Sequence, residues 1–131
     1  MTEARQEARA RGDALKARLL AELSWVDLSG AAEMLNCTTA QVAEYLENGD
    51  LIGVEAEGRT LIPTLLMPDG RILPELGEVV RQMQLDSAWI RLIWLITPLE
   101  RLRGRTPLEA LASDPDAVAW AARGVGVQGG A

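Results

Sequence analysis

The sequence predicts a mostly α protein with a small β wing, in which a helix-turn-helix unit is followed by a C-terminal helical bundle. Three observations predict it. Apolar residues recur at three- and four-residue spacing through most of the chain. One stretch, Leu51 to Leu73, breaks that rhythm with short β-type runs set between turn signals. The 131 residues, 48% apolar and 24% charged, suffice to bury a core. That length fits one compact domain or two very small ones, and the composition excludes disordered and collagen-like classes.

Residues 1–23 lack proline and are rich in Ala, Arg, Glu and Leu, which predicts an N-terminal helical arm despite Gly12. Leu15, Leu19 and Leu23 recur every four residues and can pack. Residues 2–11 offer little but alanine and charge, so the distal part is expected either to fray in solvent or to pair with a second copy.

Residues 24–73 form the predicted winged unit. Within SGAAEMLNCTTAQVAEYLENG (29–49), Ser29 is expected to cap a first helix that presents Ala31, Ala32 and Leu35. Thr38 and Gln41 make a T-x-x-Q capping box for a second helix, whose Val42, Tyr45 and Leu46 share a face, and Gly49 ends it. Cys37 falls in the turn as a small apolar plug. Leu51–Val54, Thr60–Ile62, Leu65–Met67 and Arg71–Leu73 are strand candidates, with Glu57-Gly58 and Asp69-Gly70 as turns and Pro63, Pro68 and Pro74 as stops.

Residues 74–124 form the predicted bundle. Pro74 suits a first helical position, and Leu76, Val79, Val80 and Met83 share one face of the helix after it. Asp86 or Ser87 can cap AWIRLIWLIT, where Trp89, Leu92, Ile93 and Ile96 form one stripe and Ile90 and Trp94 another. Two apolar sides imply burial both by the domain and by a second protein. Thr106 and Glu109 form another capping box behind Pro107, Asp114-Pro115 opens a last helix with acids at its positive end, and Gly124 stops it. Trp94 and Trp120 are expected to be core residues more than interface residues. Residues 125–131 are expected to be a flexible tail.

Charge and residue inventory narrow the function. There is no histidine and there is one cysteine, one tyrosine (Tyr45) and one lysine (Lys16). The common general bases and metal-ligand sets are therefore missing, and neither catalysis, metal nor cofactor is expected. A single cysteine cannot close an internal disulfide, the first residues lack an apolar signal core, and runs such as Leu92 to Ile96 are too short for a bilayer. A cytoplasmic protein without membrane contact is expected. The net charge of -6 is unevenly placed: residues 1–23 carry +1, residues 24–58 carry -7 with no basic side chain, and residues 59–131 are balanced.

Leu28 to Pro63 resembles the winged helix-turn-helix of excisionase and MerR-type regulators. The resemblance implies DNA contacts from Thr39, Gln41 and Tyr45 on the second helix, supported by Arg59 and Arg71 on the wing. The charge of residues 24–58 opposes this, because Glu44 and Glu47 would face phosphates at a cost on the order of 1 kcal/mol for each approach. DNA binding would then depend on the wing and on Arg5, Arg9, Arg11, Lys16 and Arg18 of the arm. The charge therefore favours a protein-interaction or scaffold role for the unit.

Residues 94–124, WLITPLERLRGRTPLEALASDPDAVAWAARG, resemble the C-terminal toxin-binding domain of Xre/MbcA/ParS-type antitoxins. Trp94, Leu95, Pro98, Leu102, Gly104, Arg105, Thr106, Pro107, Leu108 and Leu111 fill the pattern. Arg103 departs from a usual glycine, and Leu99-Glu100 departs from a common asparagine. The resemblance implies an antitoxin-like, dimeric protein that covers the active site of a toxin enzyme of the RES type, which degrades NAD, and that also regulates its own promoter. Trp94, Arg101, Arg103, Arg105, Thr106 and Arg123 are the expected partner-binding residues. The alternative is a DNA-binding transcription regulator or phage-type accessory factor, and a third reading is a solitary adaptor without either activity.

Overall fold

The computed structural model describes residues 2–126, which are mostly helical with one three-stranded antiparallel sheet. The proline-free N-terminal run forms α1, Thr2–Glu22. Only its C-terminal end is anchored: Leu19 is buried, Leu15 and Leu20 are half-buried, and residues 3–11 are exposed. The indole N–H of Trp25 donates to the Leu19 carbonyl at 3.2 Å and fastens α1 to the body.

Trp25 opens a two-residue strand, β1 (Trp25–Val26), too short to leave a periodic signal and created by its pairing partner. The helix pair follows as α2 (Leu28–Leu35) and α3 (Thr39–Asn48). Then β2 (Val54–Ala56) and β3 (Arg59–Pro63) form a hairpin, and the sheet order is β1-β3-β2. Val26 lies opposite Ile62, and Val54 opposite Leu61. Glu57 and Gly58 join the strands with φ of 55° and 77°, as a two-residue primed turn demands.

The wing is smaller than the sequence pattern suggested. Leu51 and Ile52 are buried but precede the strand, Thr64–Leu66 is a turn of 3₁₀ helix where Leu65–Met67 had strand character, and Arg71–Leu73 is no strand. Proline and close packing explain the difference. Pro63 and Pro68 bracket the segment and cannot donate to a ladder. Asp69 and Gly70 both take positive φ, and a Cβ on Gly70 would lie 2.8 Å from the Met34 carbonyl oxygen, so the chain folds back on the end of α2.

Four further helices complete the chain: α4 (Leu76–Gln82), α5 (Ala88–Leu95), α6 (Pro107–Ala110) and α7 (Pro115–Ala122). Pro74 is not a first helical residue, because left-handed Glu75 separates it from α4. Ser87 caps α5 by accepting the Ile90 N–H at 3.3 Å. Asp114 stands at the start of α7 without a side-chain cap bond, and α7 ends before Arg123, one residue ahead of Gly124. Of the expected tail, Val125 is tied down by the Gln84 N–H at 2.9 Å, and 127–131 lie outside the described residues.

One buried cluster joins these parts. It runs from Ala31 and Val42 in the helix pair through Ile62 and Leu66 to Leu76, Leu92, Leu111 and Val118. Each fully buried aliphatic side chain contributes about 1.5–3 kcal/mol of transfer free energy, so the cluster holds the winged unit and the C-terminal helices together. No helix of the described residues is long and apolar enough to cross a membrane.

Candidate nucleic-acid interface and C-terminal cleft

The turn between α2 and α3 is built from local hydrogen bonds. Asp27, rather than Ser29, caps α2: its Oδ1 accepts the Gly30 N–H at 2.9 Å, because the helix begins two residues earlier than Ser29 would place it. Asn36 ends α2 in the left-handed region with φ of 56°. Thr38 Oγ1 then accepts the Gln41 N–H at 3.1 Å while Gln41 Oε1 accepts the Thr38 N–H at 3.0 Å, completing the expected capping box. Gly49 ends α3 with φ of 83°.

These bonds redistribute the residues expected to read DNA. Thr39 is exposed, but the Gln41 carbonyl oxygen is committed to the cap, and Tyr45 is half-buried against the core. Arg59 is exposed at the first residue of β3 and shares an open cleft of about 450 Å³ with Leu20 of α1 and with Asp27 and Gly30 at the start of α2. Arg71 is not on the wing. The loss of the fourth strand places it after the Asp69-Gly70 turn, beside Pro68, Ile72 and Pro74.

The fold also redistributes the acidic block. Asp50 Oδ1 accepts from Arg81 Nη1 at 3.0 Å, and Arg81 comes from α4, outside the block. Glu57 lies 3.9 Å from Arg59, Glu55 Oε1 accepts the Thr60 hydroxyl at 2.6 Å, and Asp27 caps α2. Among the described residues, only Glu33, Glu44 and Glu47 of the seven acids have neither an ion pair nor a side-chain hydrogen bond. Arg81 was not singled out by sequence reasoning. Gly77, the second residue of α4, is its trace: a Cβ there would collide with Asp50 Oδ1.

A second feature lies at the C-terminal end. Trp94, Leu99, Arg101, Ala121, Gly124 and Val125 line an open cleft of about 320 Å³, drawing on α5, the turn after it and the end of α7. Arg123 stacks over Trp120 with its guanidinium carbon 5.3 Å from the ring centroid, and Arg123 Nε donates to Gln82 Oε1 at 3.2 Å. Trp94 is half-buried, whereas Trp120 is 67% exposed and is not a core residue. It lies on the solvent side of α7, whose Val118, Ala121 and Ala122 face inward.

The expected partner-binding set is therefore divided. Trp94 and Arg101 share the cleft and Arg123 stands beside it, while Arg103 is exposed on the turn. Arg105 faces inward instead, donating through Nε to the Leu102 carbonyl and through Nη1 to Ser113 Oγ, both at 3.0 Å. Thr106 is likewise occupied in its capping box with Glu109, at 2.8 and 3.0 Å. The Thr106 backbone N–H, then its hydroxyl, with Arg105 nearby, hold the Glu109 carboxyl below its ordinary value. Arg103 and Gly104 both have positive φ, 61° and 79°, which explains physically why a glycine suits position 103. No group of three or more Asp, Glu or Cys side chains among the described residues is arranged to hold a metal ion.

No family model matches the chain, and no curated protein matches it in sequence. Among solved structures, the chain is similar in fold to the NMR structure of Rv2175c. The TM-score is 0.65 at 24% identity, over 78% of this chain and 80% of that one, a likeness of fold.

Proposed function

We propose that this chain is a DNA-binding protein of the winged helix-turn-helix type, acting in the cytoplasm as a homodimer to regulate transcription. The observation that carries the reading is the closed unit of α2, α3 and the β1-β3-β2 sheet, with Arg59 exposed beside the start of α2. The charge objection from the sequence weakens where Arg81 pairs with Asp50 and Arg59 with Glu57. Asp27 and Glu55 keep their charge while accepting hydrogen bonds, and with Glu33, Glu44 and Glu47 they still oppose binding, so affinity has to come from cations outside the block.

Fluorescence anisotropy with duplexes from the chain's own upstream region tests the reading. Binding is expected to weaken steeply with salt, and Arg59→Ala to reduce the logarithmic salt slope by about 0.9. Thr39→Ala is expected to reduce discrimination between duplexes more than affinity. Failure to bind any duplex at low salt overturns the proposal.

The C-terminal cleft favours a second reading, in which the chain is antitoxin-like and covers a toxin enzyme of the RES type. Trp94 would supply the apolar anchor, with Arg101, Arg103 and Arg123 at the rim. Co-expression with a RES-type toxin encoded beside it is expected to restore growth and yield a complex, and Trp94→Ala to lose both. No complex with such a toxin rejects this reading and leaves the first untouched.

A further inference from the structure

The first half of α1 has no partner within the molecule. Residues 3–11 are all exposed, the first buried side chain among the described residues is Leu19, and the 12 residue steps from Glu3 to Leu15 carry the helix about 18 Å from its anchor. Its surface is a poor protein-packing face, since alanines are the only apolar residues between Thr2 and Leu15. Charge is arranged differently. Arg5, Arg9 and Lys16 are spaced by four and seven residues, which places them within about 40° on one face, whereas Glu3 and Glu7 lie on the opposite face and Asp13 lies about 40° beyond Arg9 at its edge.

Lys16 marks where that face points, because its ammonium lies 5.7 Å from the centroid of Trp89 on α5, which in turn sits 6.0 Å from Trp25. Arg5 and Arg9 continue the line beyond the body. The only ion pair formed by α1 among the described residues is Arg18–Glu22, so Arg5, Arg9 and Arg11 have no carboxylate within 4 Å. At its other end, α1 runs into β1, and Leu20 lines the same cleft as Arg59 and the start of α2.

We infer that the first half of α1 is a second DNA contact, a rigid basic arm that lays Arg5 and Arg9 on phosphates flanking the segment read by α3 and the wing. This rests on the DNA-binding reading above. Charge complementarity selects the occupant: a row of unpaired guanidinium groups without apolar support matches a polyanion, and the winged unit lacks the cations that its own footprint needs. An arm of about 18 Å spans about five base pairs of duplex, so it predicts a binding site longer than the helix pair and wing require.

The experiment compares the full chain with its Arg5→Ala/Arg9→Ala and Arg5→Lys/Arg9→Lys variants on mixed-sequence duplexes of graded length across a salt series. The alanine variant is expected to lower the logarithmic salt slope by about 1.8 and to lose the advantage of longer duplexes, while the lysine variant retains both. Circular dichroism is expected to show the helix content of all three unchanged. If the chain binds duplex with a slope and length dependence indifferent to the alanine variant, the arm is overturned and the DNA-binding reading stands. If the chain binds no duplex, that reading itself fails. Conversion of a dimer to a monomer by the alanine variant in sedimentation, without a change of salt slope, also overturns the arm and assigns α1 to a second copy.

Discussion

The helix pair at residues 28–48 and the segment from α5 to α7 are built by the same local devices but present opposite surfaces. Each contains a turn closed by a threonine capping box, Thr38 with Gln41 and Thr106 with Glu109. The first is covered by a sheet, and apart from the alanines Ala40 and Ala43 its exposed residues are polar or acidic. The second leaves Ile90 50% and Trp120 67% exposed, with arginines beside the aromatic rings. Caps determine where helices start, whereas the tertiary neighbours of a helix decide which of its side chains remain available to a partner. The proposed nucleic-acid reading therefore rests on the first region, and the proposed protein-binding reading on the second.

The largest expected effect comes from the core beneath the first region. Ile62 is fully buried in the central strand, opposite Val26, and Ile62→Ala is expected to cost about 3 kcal/mol in denaturant unfolding and to abolish duplex binding. Removing the caps tests their equivalence. Thr38→Ala and Thr106→Ala are each expected to cost about 1 kcal/mol, and a cost confined to one would break the parallel. Arg103→Gly relieves a left-handed non-glycine residue and is expected to add about 0.5 kcal/mol, read as a shift in the unfolding midpoint.

The smallest effect concerns acid. Because the folded carboxyl of Glu109 titrates below its ordinary value of 4.5, its contribution is complete above that pH and is lost as the pH falls through the lowered value. Glu109→Gln can keep the capping bond, so it is expected to preserve stability at neutral pH while flattening the acid limb of the stability profile. Retention of the same acid limb by the glutamine variant would assign it to other carboxylates.

Local signals were legible where the physics is local. Both capping boxes, the Gly49 stop and the Glu57-Gly58 hairpin follow from residue types at fixed offsets and occur as read, and of the two caps open to α5, Asp86 or Ser87, the structure uses Ser87. The candidate sites were less legible. Arg105 and Thr106 belong to the motif that suggested a partner, yet their donors and acceptors are used inside the turn. The exposure of Trp120 was hard to read from the sequence: Asp116 and Arg123 share its face of the helix, but the alanines on either side of it leave the apolar stripe ill-defined.

By itself the sequence determined the helix pair, its caps, the hairpin turn and the uneven placement of charge, since these depend on side chains a few residues apart. Only the tertiary structure decided three further things. It paired β1 with β3, it turned Leu65–Leu73 away from the sheet through Gly70 and Met34, and it brought Arg81 to Asp50 across 31 positions. Contacts between distant segments depend on which surfaces meet when the core closes, and no local spacing encodes them. For that reason a block of seven acids, uncompensated along the chain, is partly compensated in the folded protein.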